Sequence, residues 1–211
     1  FDDKKYTIAK LNDLRKAEKV SDLSPDKTFG SDDEEVVKLM NHFLTRISER
    51  LEKYKNHYGG RYNIGLSSPG YIFCSYDSNS TLDGHKAGAP FPTHISSDGP
   101  LAYSELVNFA GKIDYKKNRY NGNVVDFIVS KDFIDNNFEK FVDFLKLSTK
   151  TGYFEMQMNV TNSKILIEAK KHPEKFPNLV VRVWGFSAYF NDLPEEYKDN
   201  LINRALKSEG K

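Results

Sequence analysis

Leu179-Val180-Val181-Arg182-Val183-Trp184-Gly185-Phe186-Ser187-Ala188-Tyr189-Phe190 is the stretch on which the fold turns. Its first half is a nearly continuous β-branched and apolar run, and it stops at Gly185, so it predicts a strand that ends on a glycine. Pro194 follows where a helix begins, with Tyr197, Leu201, Ile202 and Ala205 on its buried side. Upstream, Gly152 to Val160 alternates. Phe154, Met156, Met158 and Val160 make one apolar face, while Tyr153, Glu155, Gln157 and Asn159 make a polar one. Thr161 or Asn162 caps the next helix, carrying Ile165, Leu166 and Ala169, and Pro173 and Pro177 stop it.

Further out the pattern stays mixed. Tyr6 to Val20 reads as a short helix. Ser31 to Glu34 has capping-box spacing before an apolar stripe of Val36, Met40, Phe43, Leu44, Ile47, Leu51 and Tyr54 that runs to Gly59-Gly60. Tyr62 to Tyr76 predicts a strand or two broken at Pro69-Gly70, and Asp77 to Gly99 one long turn-rich loop. Leu101 to Ala110 reads as a helix, Asn123 to Ser130 as a strand, and Phe138 to Leu145 as a helix. Alternating helices and strands imply an α/β fold in a single compact unit.

The 211 residues allow one to two domains, and 38% hydrophobic with 13% aromatic side chains support a folded core. Thirty-one basic against thirty acidic residues leave a charge of +1, so no large field points to nucleic acid or a membrane. No apolar run approaches the ~20 residues needed to span a bilayer. Cys74 is alone, which excludes an internal disulfide and a cysteine-rich metal framework and fits a reducing cytoplasm. The chain starts at Phe1, as a processed product or a piece of a longer polypeptide does.

Arg182 to Phe190 resembles the C-terminal fingerprint of glycyl radical enzymes, R-V-x-G-[YF]-S-A-x-F, followed by a helix ending near I-x-R. Gln157-Met158-Asn159-Val160 resembles the family's Q-F-N-V segment, and His172-Pro173-Glu174-Lys175 its H-P-E-K-Y. Leu82 to Pro90 resembles its P-D-G-R-R-A-G-E-P loop, and Phe29 to Asp33 with Gly60 to Tyr62 the segments before it. Two departures stand out: His85 replaces the first Arg of that loop, and Ile95 to Pro100 is shorter than the family's serine-, proline- and glycine-rich segment.

The resemblance implies a portion of the family's ten-stranded β/α barrel with its C-terminal glycine-radical loop. It divides the chain into a helical lead-in over 1–60, barrel strands, long loop and helices over 61–150, and a glycine radical domain over 151–211. It makes Gly185 the radical residue. A Cα radical flanked by an amide nitrogen and a carbonyl is stabilised by both only when planar, and glycine alone lacks the Cβ that would crowd that plane. The plainer reading of Gly185 is a tight turn after a strand.

The same resemblance implies that no cofactor is bound. A partner enzyme using S-adenosylmethionine and an iron–sulfur cluster installs the radical, which then passes to a cysteine whose thiyl form attacks a small-molecule substrate. The family's cysteine lies on a separate loop several hundred residues upstream, so Cys74 is read as a buried structural residue and the thiyl cysteine as belonging elsewhere, in the same longer chain or another subunit. Gln157 and Asn159, on the polar face of a strand beside Gly185, are the candidates for lining the site, with no role there as the alternative. Trp184 and Phe186 are read as apolar shields or ordinary core.

Other constellations carry no chemistry in this reading. His57, His85, His94 and His172 lack helical zinc spacing, and no metal is expected. Asp32-Asp33 and Glu195-Glu196 suit helix N-termini. Lys116, Lys117, Arg119 and Tyr120 form a small basic, aromatic loop. The function expected is the radical-bearing portion of a radical lyase, dehydratase, decarboxylase or formate acetyltransferase-like enzyme. A stand-alone repair protein for an oxygen-damaged enzyme and an inactive binding module are the alternatives.

Overall fold

The computed structural model describes residues 29–80, 85–96, 101–115 and 123–209. The helix read at Tyr6 to Val20, Asp83-Gly84 of the long loop, and the Lys116 to Tyr120 patch lie outside them.

Helix α1 (Glu34–Leu51) starts two residues later than a Ser31 cap would place it, because the carboxylate of Asp33 accepts the amides of Glu35 and Val36. Ser31 Oγ instead donates to the Glu105 carboxylate, tying the start of α1 to the segment that carries Glu105. The helix stops at Leu51, short of Gly59-Gly60, and Phe43 of the expected stripe faces solvent while Leu44 is buried.

The strand expected within Tyr62 to Tyr76 does not form. Tyr71, Ile72 and Ser75 are buried, but the Cys74 amide donates to Gly70 O and the Ser75 amide to Ile72 O, winding Phe73–Ser75 into a 3₁₀ turn. Pro69-Gly70 sets that turn, and its apolar residues act as anchors rather than as a ladder. Cys74 is consequently exposed, which corrects the buried role read for it.

Three parallel strands follow in the order β1 (Ile95–Ser96), β2 (Val124–Val129), β3 (Glu155–Val160). β1 emerges from the long loop that was read as continuous to Gly99. Helix α2 (Tyr103–Gly111) crosses from β1 to β2, and α3 (Lys131–Asn136), not foreseen, with α4 (Phe138–Ser148) from β2 to β3. Helix α5 (Ser163–Lys171) is capped by Asn162, whose Oδ1 accepts the Ile165 amide. β4 (Val180–Val183) and β5 (Phe186–Tyr189) make a separate antiparallel hairpin, and α6 (Glu195–Ser208) is the last element among the described residues.

β2 is buried along its whole length because both sheet faces are covered. Val125, Phe127 and Val129, with Met156 and Met158, pack on Leu106, Phe109 and Ala110 of α2. On the opposite side Ile128 joins Leu166, Ala169, Val181, Val183, Leu201, Ile202 and Ala205, the contribution of α5, the hairpin and α6. The alternation read in β3 holds, but both faces turn inward: Met156 and Met158 pack with the α2 cluster, Gln157 and Asn159 on the polar face are each 7% exposed, and Phe154 and Val160 at the strand ends are exposed.

Candidate functional site

Gly185 sits at the tip of the β4–β5 hairpin. Val183 pairs with Phe186, leaving a two-residue turn of Trp184 and Gly185. Gly185 takes φ +89°, the positive value that the second turn position asks of glycine. A Cβ built there would meet no atom within 4 Å, so backbone conformation and not crowding calls for glycine. The rings of Trp184 and Phe186 flank it edge to face at 5.3 Å, and Gly185 itself is exposed.

The polar face of β3 lies against this hairpin. Asn159 donates from Nδ2 to Arg182 O and accepts the Arg182 amide at Oδ1, both at 2.8 Å, so one carboxamide does the work of a paired strand residue. Gln157 Oε1 accepts the Gly185 amide at 3.1 Å and Arg182 Nε–H at 3.2 Å, while Gln157 Nε2 donates to Asp126 Oδ1 at 3.0 Å. Asp126 has no solvent exposure, and its Oδ2 accepts from Arg204 Nη2 at 2.8 Å; Arg204 is 6% exposed. A groove of about 430 Å³ separates β3 from the hairpin, lined by Gln157, Asn159, Val181, Arg182 and Ser187.

The structure therefore brings Gly185, Gln157 and Asn159 together. Of the other two members of the network, Asp126 escapes the pattern reading, and Arg204 enters it only as the arginine of the I-x-R ending, with no role attached. Each leaves a signal: Asp126 is the one charge in Val124-Val125-Asp126-Phe127-Ile128-Val129, and Arg204 stands between Ile202 and Ala205 on an apolar helix face. A buried carboxylate in such a strand needs a buried cation, and the sequence supplies one.

His94 adjoins the same end of the sheet, just before β1. It is the non-glycine residue with positive φ (60°) among those described, and neither ring nitrogen has a hydrogen-bond partner. Burial lowers its pKa below the usual 6.5; Asp126 opposes that shift, Arg204 adds to it and Glu155 opposes it. His85 stacks on Phe91 and contacts Ala89 O at 2.8 Å, and His172 is an exposed partner of Glu168 and Glu174. Asp33 caps α1, and Glu195 in the first turn of α6 pairs with Lys170 and Lys198. No helix among the described residues is long and apolar enough to cross a membrane.

Residues 90–191 match the family model described as Glycine radical, and the hairpin with Gly185 falls inside the match. That region of the chain thus matches the glycine radical domain found in glycyl radical enzymes. A probable dehydratase of Escherichia coli is 27% identical over 83% of this chain and 23% of its own length. Formate acetyltransferase 1 of the same organism is 28% identical over 84% of this chain and 25% of its own length. The solved glycerol-bound glycerol dehydratase of Clostridium butyricum superposes with TM-score 0.82 at 27% identity, covering 97% of this chain and 27% of that one. The chain thus spans about a quarter of the length of these relatives. Its mixed α/β fold is a portion of their barrel, as the fingerprint implied.

Proposed function

We propose that this chain is the radical-bearing portion of an anaerobic glycyl radical enzyme of the lyase, dehydratase or decarboxylase type, with the radical stored on Gly185. The observation that carries the reading is the tip itself: within the matched domain, the backbone presents a glycine whose Cα has open space around it and whose amide is held by Gln157. A radical S-adenosylmethionine activating enzyme removes one hydrogen atom from that Cα. The Cα radical then takes a hydrogen atom from a cysteine S–H, regenerating glycine and leaving a thiyl that abstracts hydrogen from a small-molecule substrate. Each transfer moves one hydrogen atom and leaves one unpaired electron.

Gln157 and Asn159 keep the tip seated and line its side of the groove. Cys74, exposed in a turn, is not the thiyl in this reading; that residue belongs to the remainder of the enzyme. A reducing cytoplasm is the expected setting. The likeness over 97% of the chain supports an enzyme portion rather than a repair protein built on the fingerprint alone.

Anaerobic incubation with an activating enzyme and S-adenosylmethionine, then air and intact-mass analysis, tests this. Cleavage at Gly185 is expected, with a Cα radical resonance before air. Gly185→Ala abolishes both and costs about 1–2 kcal/mol of stability through the positive φ. An intact chain alongside a cleaved control enzyme moves the assignment to an inactive binding module.

A further inference from the structure

We infer that Asp126 and Arg204 are positioning residues for Gly185, acting through Gln157. The inference rests on the reading of Gly185 as the radical residue. A neutral carboxamide has one accepting end and one donating end, and nothing in its shape decides which way it faces. Here the decision is made from behind. The Asp126 carboxylate only accepts, so Gln157 must turn Nε2 toward it, 3.0 Å away, and Oε1 is left to face the Gly185 amide and Arg182 Nε–H. Arg204 occupies the other oxygen of Asp126 and compensates the charge of a group with no exposure to water.

Turned the other way, Gln157 would set N–H against N–H at the hairpin tip. The chain Arg204 to Asp126 to Gln157 to Gly185 therefore carries a polarity from α6 through β2 and β3 to the turn. Its product is a fixed plane for the Trp184–Gly185 peptide. A Cα radical is delocalised into that peptide only when the two planes align, so residues on α6 and β2 that touch neither Gly185 nor any substrate set the alignment.

The test exchanges the polarity. Asp126→Asn places an N–H where the carboxylate stood and frees Gln157 to turn. Asp126→Asn combined with Gln157→Glu moves the carboxylate one step forward, where it again accepts from Gly185 and Arg182 while the new carboxamide at position 126 donates to it; the total charge is unchanged. Hydrogen exchange at the Gly185 amide of the unactivated chain is the readout. It is expected to rise at least about tenfold in Asp126→Asn and to return within about threefold of the parent in the combined variant. Radical yield per chain after activation is expected to follow the same order.

A purely structural ion pair would not be rescued by the combined variant, since Arg204 still faces a neutral side chain at position 126. Equal exchange in both variants, or unchanged exchange in Asp126→Asn, overturns the inference. Asp126→Asn with Arg204→Gln leaves no unmatched buried charge and covers the case in which the single variant unfolds: fast Gly185 exchange supports the inference, and parental exchange at an unchanged melting temperature overturns it. The exchange readout needs no radical, so a parent chain that fails to cleave on activation removes the proposed function and leaves the positioning result standing.

Discussion

The two faces of the β1–β2–β3 sheet are built on opposite rules. Toward α2 and α4, Val125, Phe127, Val129, Met156 and Met158 meet an all-apolar surface. Toward the hairpin and α6, Ile128 shares the interior with Asp126, Gln157 and Asn159. The first face is non-directional and tolerates exchanges of similar volume. The second is directional, because Asp126 fixes the donor and acceptor ends of Gln157, and Asn159 pairs in one sense with the Arg182 backbone. Strength sits on one side of the sheet and orientation on the other.

Breaking the apolar face has the largest expected effect on stability. Phe127→Ala removes a fully buried ring that packs on Tyr103 and Phe144, and a loss of about 3–5 kcal/mol in urea unfolding is expected. Asn159→Leu attacks the other face. It leaves the Arg182 amide and carbonyl without their partner, costing about 1–3 kcal/mol, and Gly185 amide exchange is expected to accelerate more than exchange in α2. Equal acceleration in both places would mean that the faces are not separable.

The smallest effect is a pH dependence. Burial holds the His94 pKa below 6.5, so the unfolded chain takes up that proton first as pH falls. His94 therefore contributes no pH dependence above its unfolded pKa, and stability declines as pH drops below 6.5 toward the native value. Urea midpoints between about pH 7.5 and about pH 5.5 are expected to decline in the parent and to flatten in His94→Asn, whose side chain tolerates positive φ. Persistence of the full slope in that variant would assign it to another group.

The legibility of the chain follows the same division. Elements whose signal is local were readable: the Asn162 cap, the run into Gly185, the helix after Pro194 and the strand around Val124 to Val129. Tyr71, Ile72 and Cys74 misled, because apolar content was taken as strand where Pro69-Gly70 imposes a turn. The alternation of β3 was visible, but that its polar face is buried as well depends on Asp126 and Arg204, distant in sequence and mute until a partner is known. Gly185, Gln157 and Asn159 stood out through the fingerprint; Asp126 did not, and Arg204 only as the end of the I-x-R helix.

The hairpin shares no ladder with β3. Its two strands form their own sheet, and the Asn159 and Gln157 carboxamides fasten it to the rest at Arg182 and Gly185. Beyond the apolar packing of Val181 and Val183 at its base, the polar attachment of the tip is a short sum of separate bonds, rather than one that grows with strand length. Substitutions at one or two side chains can therefore loosen or tighten its seat while the barrel portion beneath keeps its own stability, so accessibility of the glycine is adjustable independently of the fold.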